Sequence, residues 1–407
     1  MKFSKLSQLA LVSAIGLLVA TLLTACQLVT IDFVYVAASA GASAGSAGQI
    51  YGYAVDAQSG AIRSAVPAIS SGGTNPVAMA MTSDYYNIYV ANQGSKTVVH
   101  FTVSDSGTLT QADSITLTTA PVSLTVNSAN TYLYVISGTS SATLTEYPLS
   151  KGTIGTATAS VPLNLSAVSA GYSSDTIIPT GVTVLANNAA VYVTAYDQSA
   201  YNPGGSTNSN ANPGWIFGYS VGSSGALTAT SGSPYQAGVK PSALATEPTS
   251  RFIFVTDYAS NELIGYSVLS TNVLTFMING PFKTGNEPTS ITIDPRGIYM
   301  YITNSLDNTV SSYSISLPNG TPSTIVSATS TAGNTTDTDP VSVAVEPSLG
   351  RFVYTANHLG NSISGFRLNP ETGALTTTQA TPYPTGAYPM AVIAVPHGNH
   401  ATQSITP

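Results

Sequence analysis

Three ionisable residues share one position in a recurring pattern. Lys240, Glu287 and Asp339 each stand immediately before a proline that opens an apolar-alternating segment. Asn75, Ala120, Ile178 and Tyr388 hold the same slot elsewhere in the chain. An ammonium and two carboxylates from three successive repeats could converge on one polar ligand; apart, they would form only a solvated rim of mixed charge. Tyr196, Tyr201 and Trp215 surround an insertion rich in Asn, Pro and Gly. Rings beside such residues suit a sugar-like ligand, which stacks on aromatic faces and hydrogen-bonds at its edges, although the same rings could merely pin a long loop. Asn75 and Tyr388 join them as candidate ligand-binding residues. His358 is the histidine placed to serve as a general base, since His100 falls within a strand and His397 and His400 lie near the end of the chain. Asp337 and Asp339 are too few carboxylates for a stable Ca²⁺ site. No metal or other cofactor is expected.

The elements that must position these groups are read from repetition. Thirteen residues separate Pro76 from Tyr89, Pro121 from Tyr134, Pro179 from Tyr192, Pro241 from Phe254 and Pro288 from Tyr301; Pro340 and Tyr354 are one residue further apart. A third apolar segment follows each time, with its aromatic at Tyr53, Phe101, Tyr147, Tyr219, Tyr266, Tyr313 or Phe366. Turns such as Ser106-Gly107, Ser224-Gly225 and Thr372-Gly373 then lead into a weaker fourth strand. Four short strands per unit and no amphipathic helix predict an all-β, seven-bladed β-propeller with four-stranded blades. A pair of β-sandwiches would not need complementary half-repeats at its ends, and a β-helix would have shorter, more uniform rungs. Here the first repeat lacks an opening strand, while Pro389 begins one that has no successor. The C-terminal strand is therefore expected to complete the first blade, close the ring and remove its open edges. A monomer is the expected state.

The loop ahead of each first strand and the loop joining strands two and three lie on one face. The irregular lengths collect there, as on a binding face. Arg251, Arg296 and Arg351 fall in turns on the opposite face.

The second-strand motifs Tyr89-Val90-Ala91-Asn92, Phe254-Val255-Thr256-Asp257, Tyr301-Ile302-Thr303-Asn304 and Tyr354-Thr355-Ala356-Asn357 resemble the YVTN-type propeller repeat. The whole unit is similar to the lactonase family of seven-bladed propellers, which includes a bacterial 6-phosphogluconolactonase. The motif residues themselves are expected to build the blade, with Asn92, Asp257, Asn304 and Asn357 bonding nearby backbone amides in turns. Two functions follow from different classes. One is a tethered scaffold that binds a glycan, peptide or protein on the loop face. The other, implied by the resemblance, is a lactone hydrolase in which Glu287 or Asp339 activates water and Lys240 steadies the oxyanion. Enzymatic family members tend to carry basic residues or histidines just after the opening proline. Here those positions hold Val77, Val122, Thr180, Ser242, Thr289, Val341 and Met390. That depletion favours the scaffold.

Lys2 and Lys5, an apolar run from Leu9 to Leu23, and Leu23-Thr24-Ala25-Cys26 resemble a bacterial lipoprotein signal with its lipobox. The expected organisation is a signal peptide over residues 1–25, a lipidated Cys26 and tether over 26–32, the propeller over 33–396 and a tail over 397–407. Cys26 is the only cysteine, so no disulfide supports the fold. Charged residues make up 7% of the chain, and without Lys2 and Lys5 there are 9 basic against 18 acidic side chains. Such a surface offers no footprint for nucleic acid. The membrane, through a lipid on Cys26, is the expected partner, and the location is extracytoplasmic.

Overall fold

The computed structural model describes residues 29–39, 41, 45–139, 141–166, 168, 176–201, 212–325 and 333–398. Cys26 and residues 202–211 of the insertion lie outside the described residues. Seven antiparallel sheets, each a meander of four strand positions, form the ring. In the first blade the C-terminal strand Pro389–Pro396 lies innermost, against Thr30–Ser39, followed by Ala47–Asp56 and Ile62–Thr74. Pairs such as Phe33 with Val395 and Tyr35 with Ile393 fix the register of closure. Inner strands of the other blades begin at Pro76, Pro121, Ile177, Pro241, Pro288 and Pro340. The outermost position is one continuous strand in the first two blades and two short pieces in each of the others.

The boundaries shift slightly from the sequence reading. The first strand starts at Thr30, so Asp32 is a buried strand residue and not part of a tether. Nor is His397 free: its backbone N–H donates to the Ile31 carbonyl at 2.8 Å, and its ring lies 5.4 Å from that of Phe33.

Seven apolar clusters fill the wedges, one at each junction between neighbouring blades. The recurring second-strand tyrosines serve both core and seam. Tyr35, Tyr89, Tyr301 and Tyr354 are buried, and each hydroxyl donates to a glycine carbonyl in the outer turn of the next blade: Gly107, Gly152, Gly373 and Gly60, at 2.6 to 3.0 Å. Each of those glycines has φ between 69° and 86°, a left-handed turn that aims its carbonyl at the hydroxyl. Burial of each ring contributes roughly 1.5–3 kcal/mol, and the hydroxyl is satisfied without water. This couples the thirteen-residue aromatic spacing to the Ser-Gly and Thr-Gly turns. Phe254 packs without such a bond.

Candidate active site

On the upper face, each residue ahead of an opening proline is gripped by its backbone. The carbonyls of Lys240, Glu287 and Asp339 accept the N–H groups of Tyr258, Ser305 and His358, the residues that follow strand two of the same blade. Their own N–H groups are held by the preceding turn. Asn261 Oδ1 accepts from Glu287, Asn308 Oδ1 from Asp339 and Asn361 Oδ1 from Tyr388, at 2.8 to 2.9 Å. In the fifth blade the buried Asp257 carboxylate accepts from Val239 and Lys240 at 2.7 and 2.9 Å. Glu287, Asp339, Tyr388 and Asn75 have φ from 50° to 59°, the left-handed region that non-glycine residues seldom occupy. The clamps from the preceding turn hold them in it.

Their side chains form one electrostatic arc at the mouth. The Lys240 ammonium lies over the rings of Tyr258, Tyr201 and Tyr196, at 4.6, 5.2 and 5.6 Å from the centroids. Among the described residues no carboxylate lies within ion-pair distance of it. The three ring faces stabilise its charge instead. Burial and then a hydrogen bond to Glu287 push the Tyr258 hydroxyl up to about 12, with the charges of Glu287 and Asp339 adding to the shift. Burial raises the Asp339 carboxyl above its ordinary value; nearby His358 opposes the shift and Glu287 reinforces it. His358 packs its ring 5.3 Å from that of Tyr388, and its buried Nδ1 has no hydrogen-bond partner. The run from Tyr196 through Lys240, Tyr258, Glu287, Asp339 and His358 to Tyr388 therefore spans the fourth, fifth, sixth, seventh and first blades.

Asn75 stands apart, its amide engaged by Ser39 Oγ at 3.1 Å and by Gln93 Oε1 at 3.1 Å. Trp215 is not at the mouth. It is 4% exposed in the apolar wedge between the third and fourth blades, because Gly214–Val221 is already a strand paired with Ala190–Asp197. A buried indole cannot stack on a ligand, so Trp215 is removed from the binding candidates. Asp257 behaves as the turn residue expected. Asn92, Asn304 and Asn357 differ: each donates through Nδ2, to the Ser71 carbonyl or to Thr and Ser hydroxyls, because an amide is also a donor.

Sequence reasoning passed over Tyr258 and the clamps Asn261, Asn308 and Asn361. Their spacing recurs in the sequence, but the contact that gives it meaning forms only in the closed ring. The residue after the motif's Asn or Asp reaches the mouth residue of its own blade, and the Asn four places after Asp257, Asn304 and Asn357 holds the next blade's mouth residue.

Below the mouth runs an axial cavity of about 310 Å³, lined by the inner strands. The positions after the opening prolines face it and supply no ionisable group. The Thr180, Ser242 and Thr289 hydroxyls pair with those of Thr194, Thr256 and Thr303 at 2.8 to 3.0 Å. Ser242 and Thr289 also bridge to the carbonyl of the next blade's opening proline. These hydroxyls stitch the ring together and leave the ionisable groups at the mouth. The lower-face arginines take no part: Arg296, for example, binds Asp294 at 2.6 Å and the Pro370 and Gly350 carbonyls.

Solved structures share this architecture. The periplasmic gluconolactonase PpgL of Pseudomonas aeruginosa superposes with a TM-score of 0.71 at 16% identity, covering 90% of this chain and 99% of that one. A protein from Lactobacillus plantarum gives 0.68 at 14% identity, with 90% and 99% coverage. A candidate 6-phosphogluconolactonase from Bacteroides uniformis gives 0.67 at 17%, with 90% and 100% coverage. At such identities the likeness is one of fold. No curated protein matches the sequence. The family model described as lactonase, seven-bladed β-propeller, matches residues 29–122 and 102–400, nearly the whole described ring. The chain belongs to the seven-bladed β-propeller lactonase family.

Proposed function

We propose that the chain hydrolyses lactones at the upper mouth. The observation that carries this reading is the coupling of Lys240, Tyr258, Glu287, Asp339 and His358 in one arc, each main chain held by its neighbours. Glu287 takes a proton from water as the oxygen attacks the lactone carbonyl carbon. The Lys240 ammonium stabilises the oxyanion of the tetrahedral intermediate. As the ring C–O bond breaks, Asp339, whose raised carboxyl retains a proton further up the pH scale, protonates the departing ring oxygen. A hydroxy acid leaves, and the proton on Glu287 returns to Asp339. The lactonase names of the structural neighbours support the same reaction class. The scaffold reading loses Trp215, and Tyr196 and Tyr201 face Lys240 instead of standing open for stacking. Purified protein assayed on a lactone panel, beside a glycan array, tests the choice. Opening of at least one lactone above the buffer rate is expected, with turnover falling about tenfold or more in Glu287→Gln. Glycan binding without hydrolysis would restore the scaffold.

The same reading keeps the propeller outside the cytoplasm, held by a diacylglycerol on Cys26. The lipobox-like residues and the periplasmic location named for PpgL support it. The strand beginning at Thr30 rises from the lower face, so a tether at that end leaves the mouth pointing away from the bilayer. Cys26→Ser is expected to lose acyl labelling and leave the membrane fraction; unchanged labelling and fractionation would refute the anchor.

A further inference from the structure

We infer that the mouth selects uncharged lactones, and that phosphorylated or carboxylated lactones are excluded by its charge; this rests on the hydrolase reading and narrows it. Within the arc the Glu287 carboxylate balances the one ammonium while Asp339 holds the proton that the reaction uses, so no positive charge is left over. That ammonium, flanked by three tyrosine rings, serves the oxyanion at the reacting carbonyl and is not spare for a second anionic group. The other upper-face cations are unavailable. Lys283 pairs with Glu262 at 3.1 Å, and Lys96 sits in the second blade, across the ring from the fifth. Asp307 and Asp337 add two further carboxylates to the turns beside the mouth.

The chain's arginines all lie toward the opposite face. Arg251 reaches Thr249, Arg296 the Gly350 carbonyl and Arg63 the Thr30 hydroxyl, while the Arg351 carbonyl accepts the Leu368 N–H and Arg367 pairs with Phe352 at the lower end of the seventh blade. A phosphate or carboxylate on the substrate would thus enter a site of net negative charge with no guanidinium to receive it. Beneath, the axial cavity is lined by no ionisable side chain, and its Thr180, Ser242 and Thr289 hydroxyls are already bonded.

The same imbalance favours turnover. A neutral lactone becomes a carboxylate only when its ring opens, and the new anion is then repelled from Glu287, Asp307 and Asp337. Binding and release are served by one charge distribution.

The test compares an aldono-1,5-lactone with its 6-phosphate ester, by kcat/KM and, in parallel, by calorimetric binding of the corresponding lactam and lactam 6-phosphate. Wild type is expected to prefer the neutral member of each pair by about tenfold or more, a preference that shrinks at high salt. Ala120→Lys places an ammonium at the entry of the third blade, outside the catalytic arc. It should raise kcat/KM for the ester severalfold and leave the neutral lactone unchanged. If neither lactone is opened but the neutral lactam alone binds, the selectivity stands and the hydrolase reading falls. Equal or better use of the ester, or equal binding of both lactams, overturns the selectivity and leaves hydrolysis intact. Absence of both turnover and binding overturns both.

Discussion

Glu287 and Asp339 at the mouth, and Asp32 and Glu346 in the lower seam between the seventh and first blades, are both pairs of carboxyl groups close enough to perturb one another. Burial is the first cause of the raised carboxyl in Asp339, as it is in Asp32 and Glu346. Their surroundings differ. The mouth pair is partly open and has Lys240, Tyr258 and His358 around it. The seam pair is fully buried. It meets Ser348 Oγ at 2.7 Å and the N–H groups of Leu349 and Arg351, with Tyr85 and Tyr354 nearby and, among the described residues, no ion pair to a cationic side chain. Asp32 Oδ2 meets no N–H or O–H donor, and Glu346 beside it raises its carboxyl further, as a proton shared between the two would explain. A perturbed carboxyl therefore marks chemistry only where substrate can reach it and another group can respond. In the seam the same perturbation seals a blade junction.

The backbone clamps sharpen this contrast most. Asn308→Ala removes the acceptor that holds the Asp339 N–H and frees a left-handed residue to relax. Lactone kcat/KM is expected to fall about tenfold, with a stability loss of about 1–2 kcal/mol. Lys96→Ala, at the equivalent turn position of the second blade, should change neither quantity measurably. Equal effects of the two substitutions would show that the clamp serves folding and not the site.

That clamp shows where the sequence is transparent and where it is not. Lys240, Glu287 and Asp339 could be found because each precedes a proline that defines a blade, and Tyr35 and Tyr354 because a fixed spacing repeats. Asn261, Asn308 and Asn361 could not be assigned, since each acts on a residue of the next blade across a left-handed turn that only the closed ring brings near. Tyr258 escaped notice for a related reason. It looks like one more turn residue until Lys240 and Glu287 are seen on either side of it. Trp215 misled because it follows a long polar insertion, although Gly214 already begins a strand whose first side chains are buried. The Asp32–Glu346 contact was hidden by its separation along the chain; closure of the ring creates it.

A smaller effect is expected in the seam. Both carboxyls are raised in the folded protein, so their contribution to stability is full below the unfolded values near 4 and is lost as pH rises through the folded ones. Asp32→Asn supplies an amide donor to Glu346 in place of the shared proton. Its melting temperature should exceed wild type by about 2–4 °C at pH 8, with the advantage gone at pH 4 and lactone turnover unaltered. A melting difference independent of pH, or altered turnover, would refute the shared proton or its isolation from the mouth.

The pH dependence of lactone opening tests the mouth most directly. In the account above Asp339 must carry a proton when the ring oxygen departs. After subtraction of the spontaneous rate, kcat should decline on the alkaline side with a midpoint above the ordinary carboxylate range. Asp339→Asn should lower kcat and erase that decline. A wild-type profile with no alkaline decline, or a decline retained in Asp339→Asn, would contradict the assignment of proton donation to the mouth pair.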